Sequence, residues 1–137
     1  MPIPTAPNFA RILVAGIGLA NLAAAPASAQ SMSPMRGEVA SFSDGFAVRV
    51  YPANPYGHRI KVSVRVYDQD FYPVAARVTP DDFMLGPEAS RSVLVIVPFD
   101  GASARKVRIC TESVPFPSEQ TQIKAQICGK FLGQRRF

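Results

Sequence analysis

The sequence predicts an all-β fold, a seven-stranded immunoglobulin-like β-sandwich, and two observations carry that expectation. Apolar and polar residues alternate with period two in run after run, and strong turn signals separate those runs about every dozen residues. Seven such strands in a little over about a hundred residues match a sandwich of this kind. The chain has no Trp, so the buried Trp of antibody domains is absent and the likeness is to the architecture alone.

The expected strands are taken in chain order. A first strand is placed at residues 39–42. In residues 46–51, Phe46, Val48 and Val50 share one side and Arg49 lies on the other. The clearest alternation is residues 60–67, where Ile60, Val62, Val64 and Val66 interleave with Lys61, Ser63, Arg65 and Tyr67. A short strand is placed near residues 73–78. Residues 91–97 are apolar at Val93, Val95 and Val97 but also at Leu94 and Ile96, which implies burial on both faces or a covered edge. Residues 105–111 turn Val107 and Ile109 inward against Lys106, Arg108 and Cys110. In residues 121–132, Ile123, Ala125 and Ile127 face inward, with Gln122, Lys124, Gln126, Cys128 and Lys130 outward. Ser43-Asp44-Gly45, Pro52 to Gly57, Leu85 to Glu88, Asp100-Gly101 and Val114 to Glu119 punctuate these runs.

Residues 1–29 read differently. Arg11 supplies a positive flank, residues 12–25 are uncharged and mostly apolar, and Ala27-Ser28-Ala29 is a small-x-small cleavage signal. The run is short for a bilayer span, and Pro26 breaks a helix where cleavage would fall. The expected organisation is therefore a secretory signal peptide at 1–29 and one immunoglobulin-like domain at 30–137, exported to the periplasm and without stable membrane insertion after cleavage. Removing the leader leaves about 108 of the 137 residues and lowers the net charge from +5 to about +4, because Arg11 departs. A large multidomain enzyme is excluded by length.

Export decides how the cysteines are read. Outside the cytoplasm an even cysteine count implies a disulfide, so Cys110 and Cys128 are expected to pair. If they face each other in an antiparallel hairpin, the hairpin centres on Glu119, at the end of a Pro-rich turn, and Arg108 opposes Lys130. Both cysteines fall on polar strand faces, which predicts a surface staple worth about 3 kcal/mol.

Little in the chain points to catalysis. His58 is the single His, placed in a Pro/Gly-rich connection with no nucleophile beside it, and is expected to face solvent. Asp68, Asp70, Asp81 and Asp82 flank strands, where Asp favours backbone hydrogen bonding over metal ligation or acid-base work. There is no phosphate loop and no metal motif, so no catalytic residue, metal or cofactor is expected. The basic residues are spread over strand faces, and export removes the usual nucleic-acid target, so no nucleic-acid partner is expected either. Arg135-Arg136 reads as a solvated tail.

From Phe46 onward the order of pieces resembles the amino-terminal immunoglobulin-like domain of bacterial periplasmic pilus (fimbrial) assembly chaperones. The residues that carry the resemblance are the strand ending at Tyr51 with Asn54-Pro55, residues 60–68, Val78-Thr79-Pro80 with Phe83-Met84-Leu85, Gly86-Pro87, residues 91–95 with Val97-Pro98, and Arg108-Ile109-Cys110 leading to Pro115. The resemblance implies a non-catalytic partner for a pilin-like or other exported subunit, held by adding or donating a β-strand. Ile123, Ala125 and Ile127 fit that alternating role, and equally fit core positions of a last strand. It also implies an anchor for the subunit's terminal carboxylate, with Lys130 in the Lys position and Arg108 beside it. The first-strand Arg is displaced: alignment on Asp44-Gly45 puts Ala40 at that position, with Arg36 four residues earlier. A disulfide between the last two strands occurs in one branch of the family, with a longer intervening segment than here. The chaperones carry a second such domain, so a second-domain or usher partner is implied. The other reading is a structural or accessory envelope domain that does not donate a strand.

Overall fold

Strict alternation requires two apolar faces turned toward each other, and the computed structural model, which describes residues 2–4, 30–116, 120 and 123–137, has that arrangement. Nine strands follow in order: β1 (Ser31–Ser33), β2 (Arg36–Ser41), β3 (Gly45–Ala53), β4 (Ile60–Tyr67), β5 (Arg77–Thr79), β6 (Asp82–Leu85), β7 (Val93–Pro98), β8 (Ala104–Val114) and β9 (Ala125–Arg135). One sheet has the order β1-β3-β7-β5 and the other β2-β9-β8-β4-β6. The all-β sandwich is as expected. The leader at 1–29 lies outside the described residues except for residues 2–4, and no described helix is long and apolar enough to cross a membrane.

The core is built from the inward positions of the alternating runs. Phe46, Val48 and Val50 of β3 and Val93, Val95 and Val97 of β7 meet Ile60, Val62, Val64 and Val66 of β4, Val107 and Ile109 of β8 and Phe131 of β9. Burying each such side chain contributes about 1.5–3 kcal/mol, so the paired sheets hold together through this layer. The rings of Phe46 and Phe99 pack at 5.2 Å. Gly133 admits this packing, because a Cβ there would lie 2.2 Å from the Phe46 ring.

The strand count differs from seven for identifiable reasons. β1 spans three residues with Met32 as its one buried side chain, and β6 spans four with only Phe83 and Leu85 inward; neither is long enough to display a period. The strand expected at residues 73–78 is β5 instead, at Arg77–Thr79. Pro73 forms only an isolated bridge to Tyr67, and a residue without an N–H cannot sustain a ladder. The strand expected at residues 39–42 is β2, which begins earlier, at Arg36, and the last strand begins at Ala125, later than expected.

Residues 31–41 serve both sheets. β1 pairs antiparallel with β3, and after Pro34 and Met35 the chain enters the other sheet, where β2 pairs parallel with β9. The Lys130 N–H donates to the Met35 carbonyl at 2.9 Å, fixing the crossing point against β9.

Cys110 and Cys128 are bonded and are direct partners in the antiparallel β8–β9 register, the register expected from their pairing. The bond is not a surface staple. Cys110 is fully buried and Cys128 half-buried, because Cys110 sits in an interior strand between Arg65 of β4 and Cys128 of β9.

Candidate functional site

Two features of β9 converge on one place. Along residues 130–135 its outer edge is covered by β2, but along residues 125–129 it pairs only with β8 among the described residues. An uncovered edge presents unpaired N–H and C=O groups to a further strand. The half-buried Ala125 and Ile127 lie on the same face of this open stretch, with Ile127 packed against the core. Ile123 precedes the strand and is 63% exposed, so the inward position expected for it is not observed. Alternation continues to Ile123 in the sequence, but the ladder with β8 stops at the Ser113–Ala125 pair.

At the point where β2 takes over the edge, three cations stand in one row. Arg36 of β2 is the register partner of Lys130 of β9, and Lys130 is the partner of Arg108 of β8. The chain's path sets Arg36 beside Lys130 despite the displacement read from the sequence. Counting back from Asp44-Gly45 assumes a regular first strand, whereas the parallel β2–β9 register sets Ala40 against Gln134 and Arg36 against Lys130. Like charges directly opposed across a sheet destabilise it unless an anion lies between them.

The row borders an open cavity of about 600 Å³, whose lining also includes Glu38, Gln69 and Lys106. Gln69 reaches this lining from the turn of residues 68–72. There the Asp68 carboxylate accepts from the backbone N–H groups of Asp70 and Tyr72 at 2.8 and 2.9 Å, the turn-forming role expected of it. That turn sets the Gln69 carbonyl to accept from Arg108 Nε at 3.3 Å and places the Phe71 ring 4.5 Å from the Arg108 guanidinium carbon. Beside Arg108 in register, Tyr67 donates its hydroxyl to Glu112 at 2.7 Å, and this hydrogen bond, with burial, raises the Tyr67 pKa.

The described ion pairs lie elsewhere: Arg65–Asp82, Arg105–Asp100 and Arg135–Asp44. Asp82 also accepts from Ser63, and that hydrogen bond together with Arg65 lowers its pKa despite some desolvation. The imidazole of His58 has partners that sequence reasoning missed. Its Nε2–H donates to the Pro115 carbonyl at 2.5 Å and its ring lies 5.4 Å from Phe116 and 5.2 Å from Tyr56. His58 is nonetheless exposed, as expected, and no nucleophile is among those contacts. Asn54 is buried, donates to the carbonyls of His58, Leu85 and Gly86, and accepts from the Tyr56 N–H, so it locks that end of the sandwich.

No family model matches the chain, and no curated protein matches it. Solved structures of pilus chaperones are similar in fold. The SafB chaperone in complex with the SafA pilin of Salmonella enterica matches with a TM-score of 0.65 at 19% identity, over 82% of this chain and 57% of that one. The Escherichia coli chaperone DraB matches with a TM-score of 0.62 at 22% identity, over 78% of this chain and 55% of that one. The chain thus spans little more than half the length of these chaperones. SSP-19, an MSP-domain protein like family member of Caenorhabditis elegans, shares the fold at 10% identity and a TM-score of 0.56, over 76% of this chain and 98% of that one.

Proposed function

We propose that this chain is a chaperone-like binding module that holds an exported, pilin-type subunit by adding a strand along β9, without catalysis. One observation carries the reading: the open half of the β9 edge ends at the row Arg36, Lys130 and Arg108. An added strand satisfies the edge's backbone groups, and apolar side chains next to Ala125 and Ile127 give it an apolar surface to pack on. Its terminal carboxylate then meets cations that lack an ion-pair partner among the described residues. Action in the periplasm belongs to the same proposal, as does cooperation with a second domain or an usher. The likeness to SafB and DraB supports it by fold.

Ile127→Asp and Ile123→Asp test the reading. Each variant is co-expressed with a pilin-type subunit and the complex is isolated from the periplasm. Loss of capture by variants that unfold at the wild-type temperature is expected, and undiminished capture overturns strand addition.

A second reading, an accessory envelope domain without strand donation, is supported by the likeness to SSP-19, whose length is matched almost entirely. A folded monomer that recovers no pilin-type subunit from the periplasm would favour it.

A further inference from the structure

We infer that the cation row selects a dianionic chain terminus, the α-carboxylate of a polypeptide whose last or next-to-last residue is Asp or Glu. This rests on the proposed carboxylate anchor and names the ligand that anchor prefers. Arg36, Lys130 and Arg108 are consecutive partners across three strands, and Lys106, two residues along β8 on the same face, lines the same cavity. Glu38 is the carboxylate in that lining, and among the described residues it makes no ion pair with any of them. A single α-carboxylate therefore leaves most of the positive charge of Arg36, Lys106, Arg108 and Lys130 uncompensated.

Arg108 is the residue that asks for the second charge. Its Nε is engaged by the Gln69 carbonyl at 3.3 Å, and the Phe71 ring packs 4.5 Å from its guanidinium carbon. Phe71 occupies a left-handed backbone conformation, with φ of 63°, inside the turn closed by Asp68. A guanidinium oriented in this way loses less rotamer freedom when it binds an anion. Neighbouring strands lie about 4.8 Å apart, so Arg108 stands one strand beyond Lys130, on the side away from Arg36. Consecutive Cα atoms are about 3.8 Å apart. An acidic side chain at the end of a chain whose α-carboxylate sits between Arg36 and Lys130 therefore bridges that distance.

The test uses short, amino-terminally labelled Val/Thr peptides ending in Ala or Glu, each as the free acid and as the amide, titrated with the chain by fluorescence anisotropy at low ionic strength. The Glu free acid is expected to bind about tenfold more tightly than the Ala free acid, the gain of roughly one desolvated charge contact. Arg108→Gln should abolish the difference between the Glu and Ala acids, and Arg108→Lys should keep part of it. If Arg108→Gln lowers the unfolding temperature, Lys106→Gln makes the same comparison at an exposed position. Equal binding of the Glu and Ala acids, with both tighter than the amides, overturns the dianion inference and leaves the anchor standing. Equal or absent binding of acids and amides overturns the anchor and the inference together. Displacement of the Glu peptide by an equal concentration of inorganic phosphate overturns the assignment to a chain terminus.

Discussion

Arg36 and Lys130 face each other across the parallel β2–β9 pair, in adjacent strands from opposite ends of the described domain. Their opposition sets positive charge against positive charge where an edge changes from open to covered. Replacing Lys130 or Arg36 by Gln should leave the stability unchanged or raise it slightly, by about a few tenths of a kcal/mol, because the loss relieves repulsion at an exposed site. The same variants should bind a free-acid peptide no better than its amide. Thermal unfolding together with paired titrations checks both halves.

Gly133→Ala tests the tightest contact in the core. A Cβ at this position meets the buried Phe46 ring at 2.2 Å, so the ring must leave its rotamer or β9 must shift. The expected loss is about 1–3 kcal/mol. Gly57→Ala serves as the control, since a Cβ there meets nothing within 4 Å. Urea unfolding of the two variants separates overpacking from a general effect of replacing Gly.

The Cys110–Cys128 bond closes a segment with a sequence separation of 18. The Cys110→Ala/Cys128→Ala double variant should lose about 3 kcal/mol in the chain-entropy account, with some further cost from the volume removed at the fully buried Cys110. Denaturant midpoints of the oxidised wild type, the reduced wild type and the double variant measure the two contributions.

Asp82 sets part of the acid sensitivity. Its hydrogen bond from Ser63 and its pairing with Arg65 depress its folded pKa. The stabilisation is therefore present above the unfolded carboxylate pKa of about 4 and is lost as pH falls through the lower folded value. Asp82→Asn should reduce stability at neutral pH by less than about 1 kcal/mol, since the pair is largely exposed, and should match the wild type at the acid end. Unfolding temperatures measured from neutral to strongly acidic pH check the convergence.

Period-two alternation made β3, β4, β7, β8 and most of β9 legible, because each is long enough to show which face is buried. The expected pairing of Cys110 with Cys128 gave the β8–β9 register, since one cross-link between facing residues of adjacent strands determines every other pair, including Arg108 with Lys130. What stayed hidden depends on contacts between distant segments. β1 and β6 are too short to carry a period, and Cys110 is buried by neighbours across an interior strand rather than by its own face. Arg36 could not be placed by counting along the chain, because its position follows from the crossing at Pro34 and Met35. His58 gave no sign of Phe116 or of the Pro115 carbonyl, whose approach closes the end of the sandwich.

The partial cover supplied by β2 also gives the open edge a polarity. A strand added beside residues 125–129 shares a line with β2 and must stop where Met35 already accepts the Lys130 N–H. A longer strand would have to leave the edge at that block, whereas a chain end can stop against it. An incoming ammonium would meet Arg36 and Lys130 as like charges, whereas a carboxylate would be attracted to them. In the proposed complex an added strand whose carboxylate meets this row would run parallel to β9, head to tail with β2, so the short covering strand would act as both a stop and a direction marker.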